Sequence, residues 1–378
     1  MSTNADEVLP NQNGPRLYTS LDETDFRKYP EARRDLSAEM PDLIEITYPD
    51  GHGNALKLLH FLQTEGILHI GKANYETFVV IYKNAALPPL SEREIDVIEQ
   101  ILRRLVADNS ARWANIPRRI KLRLIGDLLA DRGNNDALTL GLLWVLHKVL
   151  PLDAFTILLS NHDVGALISS EENYQGQYPN IDPLQCRSQS NMVRQWQDPT
   201  TNNTRPVTSA TQALPNLWTR EGIKDVIREC YLPHLKPLDY SLMDRRFALY
   251  SHAPVGLETV RAFAKFFHIA IPAQFRTVEE VCEAIKKINS AFQAWISAPG
   301  GLHAFCEAYC VEHAQQERLH ELPIPPTLPL YRVTWNRLRA YIEFPDALPF
   351  SSVSPLSYPM IAIYGHLGGG GYRLWVQS

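Results

Sequence analysis

A strong net charge of either sign is missing from this chain. Its 378 residues carry 37 Lys and Arg against 42 Asp and Glu, a formal net charge of −5. That gives no broad electrostatic field for holding a nucleic-acid backbone or an anionic membrane, and no cluster of basic residues stands out. Long apolar runs are missing too. The richest stretch, 138–152, is interrupted by His147 and Lys148 and bounded by Pro151, so it reads as a core helix, and no membrane-spanning segment is expected. Met1 to Pro15 are polar, with no basic stretch leading into an apolar one, so no Sec signal peptide is expected. Cysteine is scarce. The five, Cys186, Cys230, Cys282, Cys306 and Cys310, form no regular framework, and an odd number fits free thiols of a soluble protein in a reducing compartment. His303, Cys306, Cys310 and His313 share one helical face but spread over too many turns to meet at a single ion, so they read as an apolar face with buried thiols. No internal repeat is found.

What the chain does have is a hydrophobic content of 45%, enough for a sizeable core, and five short motifs rich in metal-ligand residues. They are Asp50-Gly51-His52-Gly53-Asn54, Gly126-Asp127 with Asp131-Arg132-Gly133, Asn161-His162-Asp163, Ser251-His252, and Gly365-His366. Each follows an apolar run that reads as a buried strand: 43–48, 120–125, 155–159, 246–250 and 360–364. Carboxylates, an amide and imidazoles delivered at the carboxyl ends of strands converge where open α/β folds place their sites, at one edge of a sheet.

Residues 1–40 are polar and form a leader, expected to be partly disordered. The catalytic region runs from 41 to 378. Helices are expected over 55–63, over 91–106 from the Ser91/Glu94 capping box, and over 136–150. Phe78 to Tyr82 and Tyr331 to Tyr341 look β-like, as does Tyr372 to Val376. Between 169 and 216 the composition turns to Asn, Gln, Ser, Thr and Pro, which predicts a long surface loop beside a site motif, facing substrate as a lid. Residues 255–322 are helical in pattern and separate the fourth motif from the fifth. They read as a helical subdomain inserted into one catalytic domain.

The ligand types predict a two-metal centre. A bridging carboxylate is needed to hold two divalent ions about 3.5–4 Å apart, and Asp127 is the natural bridge. Asp50 and His52 flank a single Gly and are assigned to the first ion, and Asn161, His252 and His366 to the second. Oxygen and imidazole donors without cysteine suit Mn, Fe or Zn, with Mn favoured. A water activated between the ions serves as nucleophile. His162 is assigned as general acid, oriented by Asp131, while Arg132 and Arg337 offer planar forks for phosphate oxygens.

These motifs resemble the phosphoprotein phosphatase branch of the calcineurin-like metallophosphoesterases, whose pattern is GDxHG, GDxxDRG, GNH(E/D) and then two separate His residues. The resemblance places Asp50, His52, Asp127, Asn161, His252 and His366 on the family's metal ligands. It places Asp131, Arg132, His162 and Arg337 on the acid pair and phosphate clamps. It implies an α/β fold, a β-sandwich flanked by helices, and dephosphorylation of phosphoproteins, with phosphoserine and phosphothreonine favoured. A tyrosine phosphatase on the same fold, a dinucleoside polyphosphate hydrolase and a vestigial interaction protein stay open. A partner protein bound on the helical insertion stays open as well. Pro49, Ser160 and Ser251-His252-Ala253-Pro254 depart from the pattern. With the helical insertion and the Asn/Gln-rich loop, these departures are similar to the Wip-type effector phosphatases that Legionella injects into host cells. That narrower resemblance implies secretion by a bacterium and action on host proteins.

Overall fold

All five apolar runs that precede a motif form strands. A computed structural model describes residues 25–33, 44–85, 90–114, 120–131, 135–170, 217–218, 220–243, 246–319, 324–335, 360–364 and 373–376. Arg132, Arg337 and His366 lie outside the described residues, as do Cys186 and nearly all of the expected surface loop.

The first sheet is parallel, in the order β1 (Ile44–Tyr48), β2 (Ile120–Leu124), β3 (Phe155–Leu158), β4 (Leu235–Lys236). Ile46 pairs with Leu122 and Leu122 with Phe155, so the three longer strands end near the same level. The second sheet runs β5 (Asp239–Met243), β6 (Arg246–Tyr250), β7 (Met360–Tyr364), β8 (Arg373–Val376). Its central pair, β6 and β7, is parallel and its outer pairs are antiparallel.

The motifs therefore come from the ends of two sheets, whereas the sequence had pointed to the edge of one. Arg123, fully buried on β2, ties the sheets together. Its guanidinium donates to Asp239, to Glu45 Oε2 at 2.7 Å and to Tyr240 O at 3.0 Å, and lies 4.1 Å over the Tyr250 ring.

Helices α1 (Ala55–Thr64), α2 (Lys72–Asn84) and α3 (Glu92–Ala114) connect β1 to β2. Asn54 caps α1 by accepting from Lys57 N, and the Ser91/Glu94 box caps α3, with Ser91 N donating to Glu94 Oε2 at 2.9 Å. The β-like reading of Phe78 to Tyr82 is corrected by α2. Tyr75, Phe78, Val79, Ile81 and Tyr82 are buried at i, i+3, i+4, i+6 and i+7, a helical stripe whose short central run alone mimics a strand. Similarly, the beginning of the Tyr331–Tyr341 segment is helical, in α10 (Pro329–Trp335), where Pro329 occupies the first helical position at no hydrogen-bond cost.

After β2 come α4 (Asp136–Val149), β3 and α5 (Asn161–Ser170), then α6 (Arg220–Val226) leading through a π-helical turn and a 3-10 turn to β4. The 255–322 segment holds α7 (Leu257–Phe266), α8 (Val278–Ser297) and α9 (Gly301–Leu319). Val281, Ile285, Ile288 and Phe292 of α8 belong to the same hydrophobic core as the first sheet, and Asn289 Nδ2 donates to Leu238 O at 2.9 Å. Within the leader, Phe26 and Tyr29 pack on that core, with Tyr75 Oη donating to Phe26 O at 2.6 Å. Cys230, Cys282, Cys306 and Cys310 are buried and form no disulfide among the described residues. Among the described residues no helix is long and apolar enough to cross a membrane.

Candidate metal centre

Beyond the carboxyl end of β1 the chain turns through Asp50 to Asn54 and meets the turn beyond β2. Gly51 N donates to Gly126 O at 3.1 Å and Gly53 N to Asp127 O at 2.7 Å, so the two loops share a backbone seam. The seam demands unusual backbone. His52, Asp127 and Ala130 have φ of 50°, 48° and 55°, a left-handed region that side chains disfavour, and Gly53 and Gly126 have φ of 65° and 97°. Strain gathered at the tips of two strands is how a site aims side chains.

The loops bring Asp50, His52, Asp127 and Asp131 together, each offering one ligand atom within 4.8 Å of the others. Asp50, Asp127 and Asp131 are buried. His52 Nδ1 lies 3.3 Å from Asp50 Oδ1 and 2.7 Å from Asp131 Oδ2. Burial pushes the Asp50 carboxyl well above its ordinary range, the Asp127 and Asp131 carboxylates push it further, and the Lys57 ammonium opposes them. Lys57 itself is buried in the first turn of α1 and donates from Nζ to Asp50 O at 3.0 Å.

Asp127 also faces a second set of donors. His252, fully buried beyond β6, lies with Nε2 2.9 Å from Asn161 Oδ1 and 3.5 Å from Asp127 Oδ1. Its Nδ1 lies 2.9 Å from Ile125 O, which fixes the proton on Nδ1 and leaves a lone pair on Nε2 in the neutral ring. Burial pulls the His252 pKa down and so favours that neutral form, while Asp127 opposes it.

These residues fit divalent ions on two counts. Asp50 Oδ1 is buried with no hydrogen-bond partner, and the His252 Nε2 lone pair faces an amide oxygen at 2.9 Å and a carboxylate oxygen at 3.5 Å. A backbone carbonyl orienting the far nitrogen is also how metal-ligating histidines are held.

His162 is the second residue of α5, so it reaches the site from the first helical turn. Its Nδ1 lies 3.1 Å from Ala130 O and its Nε2 lies 3.9 Å from Asp131 Oδ1, while its backbone N–H donates to Asp127 Oδ1 at 3.4 Å. Asp131 therefore faces His162 without a hydrogen bond to it and makes its short contact with His52. Burial lowers the His162 pKa, but the Asp127 and Asp131 carboxylates and the Ala130 carbonyl outweigh burial, and the net shift is upward.

Two residues beyond the expected set hold the site. Ser160, read in the sequence only as a replacement for Gly, accepts at Oγ from Asp127 N at 2.9 Å and from Asp163 N at 3.3 Å, locking the Asp127 turn to the start of α5. Its bulk is possible because Gly126 has none; a Cβ there would sit 2.6 Å from Ser160 Cβ. Asp163 accepts from Leu129 N at 2.7 Å, and burial together with Asp127 pushes its carboxyl up to about 7. The signal in the sequence was Ser160 standing where the pattern has Gly, while Gly126 keeps the pattern's Gly, but only contact distances give it meaning. Ala253, next to His252, donates its backbone N–H to Val333 O of α10 at 2.8 Å.

The family model described as the WipA-like phosphatase domain matches residues 121–354. The solved phosphatase domain of the Legionella effector WipB is similar in fold, with a TM-score of 0.59 and 22% identity over 87% of this chain and 100% of that chain. No curated protein matches the sequence.

Proposed function

The chain belongs to the WipA-like phosphatase family and is a phosphatase, and from that premise we propose that it is a dinuclear-metal phosphomonoesterase acting on phosphorylated proteins, with phosphoserine and phosphothreonine favoured. The observation that carries this reading is Asp127, which stands between the Asp50/His52 side and the Asn161/His252 side. Asp50, His52 and Asp127 hold one ion, and Asp127, Asn161, His252 and His366 the other, with Mn favoured by oxygen and imidazole donors. Bound there, the ions supply Lewis acidity toward the phosphoryl group and toward water.

The residues divide the remaining work. His162 keeps its Nδ1 proton on the Ala130 carbonyl, so Nε2 is the nitrogen that protonates and delivers a proton to the leaving-group oxygen. Asp131 lies close enough to favour the charged ring. Arg132, next in the chain, clamps phosphate oxygens with its planar fork. Arg337 is the second clamp; α10 ends only two residues before it, and that helix is bonded to the His252 loop through Val333. The helices of 255–322 are an insertion within the one catalytic domain, 41–378. The family and the similarity in fold to an effector domain support a bacterial effector acting on host proteins.

The test is metal content by elemental analysis together with turnover on phosphoserine, phosphothreonine and phosphotyrosine peptides, with a dinucleoside polyphosphate as control. Two ions per chain and fastest turnover on phosphoserine or phosphothreonine peptides are expected. Full activity with one ion or none overturns the dinuclear reading, and preference for phosphotyrosine or the dinucleotide overturns the substrate class.

A further inference from the structure

Leu128, Leu129 and Ala130 separate Asp127 from Asp131, one residue more than the GDxxDRG pattern provides. The extra residue is absorbed as a local bulge. Ala130 takes φ of 55°, and a non-Gly residue held there costs on the order of 1–2 kcal/mol. The surroundings hold it in place from both sides. The buried Asp136 carboxylate at the start of α4 accepts from Ala130 N through both oxygens at 3.1 Å, and Ala130 O meets His162 Nδ1 at 3.1 Å.

The bulge determines where Asp131 points. Its Oδ2 turns to His52 Nδ1 at 2.7 Å, while its Oδ1 remains 3.9 Å from His162 Nε2. Asp131 is 4% exposed and joins Asp50, His52 and Asp127 in a set whose ligand atoms all lie within 4.8 Å. An acidic cluster alone means little, but Asp50 Oδ1 in the same set is buried with no hydrogen-bond partner, as an atom awaiting a cation is.

We propose that Asp131 is a direct ligand, through Oδ2, of the ion on the Asp50/His52 side while its Oδ1 faces His162. The proposal rests on the two-ion reading above. It gives the inserted residue a purpose: a third carboxylate joins Asp50 and Asp127 around the ions, and occupancy of that position also orients the carboxylate beside the general acid. A carboxylate in place of an additional nitrogen donor biases the position toward oxygen-preferring ions such as Mn.

Calorimetric titration of metal-free protein with Mn²⁺, with bound ions counted by elemental analysis, tests this in the wild type, Asp131→Asn and His162→Ala. Two ions are expected in the wild type and in His162→Ala. In Asp131→Asn the affinity for one ion should fall more than about 100-fold, beyond the about 10–100-fold that removing merely an outer partner of a metal ligand costs. Deleting Ala130 keeps every ligand but shortens the turn, and should weaken the same ion. It provides the second reading if the Asn variant does not fold. An Asp131→Asn protein, folded by circular dichroism, that binds both ions within about 100-fold of the wild type overturns the proposal. Fewer than two ions in the wild type overturns the two-ion reading and this proposal with it, so the two failures are told apart.

Discussion

Replacing Arg123 by Met should destabilise the protein by about 3 kcal/mol and disturb the His252 side of the site. Arg123 is fully buried and joins four strands: its own β2, Glu45 of β1, Asp239 and Tyr240 of β5, and the Tyr250 ring of β6. Burial works against the guanidinium charge, but Asp239, Tyr250 and Glu45 outweigh it and raise its pKa. Removing one member of a buried ion pair costs about 3–5 kcal/mol, because the other charge is left without compensation. Here the loss should lie at the low end. Asp239 keeps the Lys121 ammonium at 2.9 Å, and the Glu45 side chain, 11% exposed, reaches some water. Urea denaturation gives the value, and pairing the change with Glu45→Gln should recover part of it. Since β6 ends at Tyr250, two residues before His252, metal affinity should fall as well. A loss below about 1 kcal/mol, or an unchanged metal affinity in a clearly destabilised variant, refutes the view that this cation holds the second sheet's ligand in place.

Gly126→Ala should cost about 2 kcal/mol or more and weaken ion binding beside His252, because φ is 97° and the new Cβ meets Ser160 Cβ at 2.6 Å, Leu158 O at 2.9 Å and His252 Nδ1 at 3.1 Å; denaturation and metal titration check both parts. His162→Ala should keep both ions but lose about 10²–10⁴-fold in turnover on poor leaving groups, with a much smaller loss on nitrophenyl phosphate; an equal loss on both removes it as the acid. His234 is buried against Phe155 O and His147, and burial lowers its pKa to about 4. A histidine held neutral in the fold contributes stability above its unfolded value of about 6.5, and that contribution is lost as pH falls from there toward 4, then levels off. The swing is at most about 3 kcal/mol. Denaturation of the wild type and His234→Asn at pH 7.5 and pH 4.5 should show the wild type losing more, and parallel losses count against it.

Much of this protein is legible one residue after another. Strand runs ending at Tyr48, Leu124, Leu158, Tyr250 and Tyr364, and the Ser91/Glu94 capping box, are local signals, since backbone geometry within a few residues decides them. The identity of the ligand residues is local too, because chemistry needs carboxylates, amides and imidazoles whatever surrounds them. Phe78 to Tyr82 marks the limit. A short apolar run satisfies a strand and a buried helix face alike, and only Tyr75, packed in the core under Phe26 and Tyr29, resolves it as α2.

What the tertiary structure decided depends on distances between residues far apart in the chain. The ligands gather from two sheets, held in register by an arginine that in the sequence merely interrupts an apolar strand. Ser160 fills the space that Gly126 leaves open across 34 positions of separation, a relation visible only in that a Cβ at Gly126 would sit 2.6 Å from Ser160 Cβ. Asp131 was placed beside His162 by its motif. One inserted alanine, bent into a left-handed turn and held by Asp136, points one of its oxygens at His52 instead. The sequence names the donor atoms; their directions are set by backbone torsions and by packing between elements that local pattern does not encode.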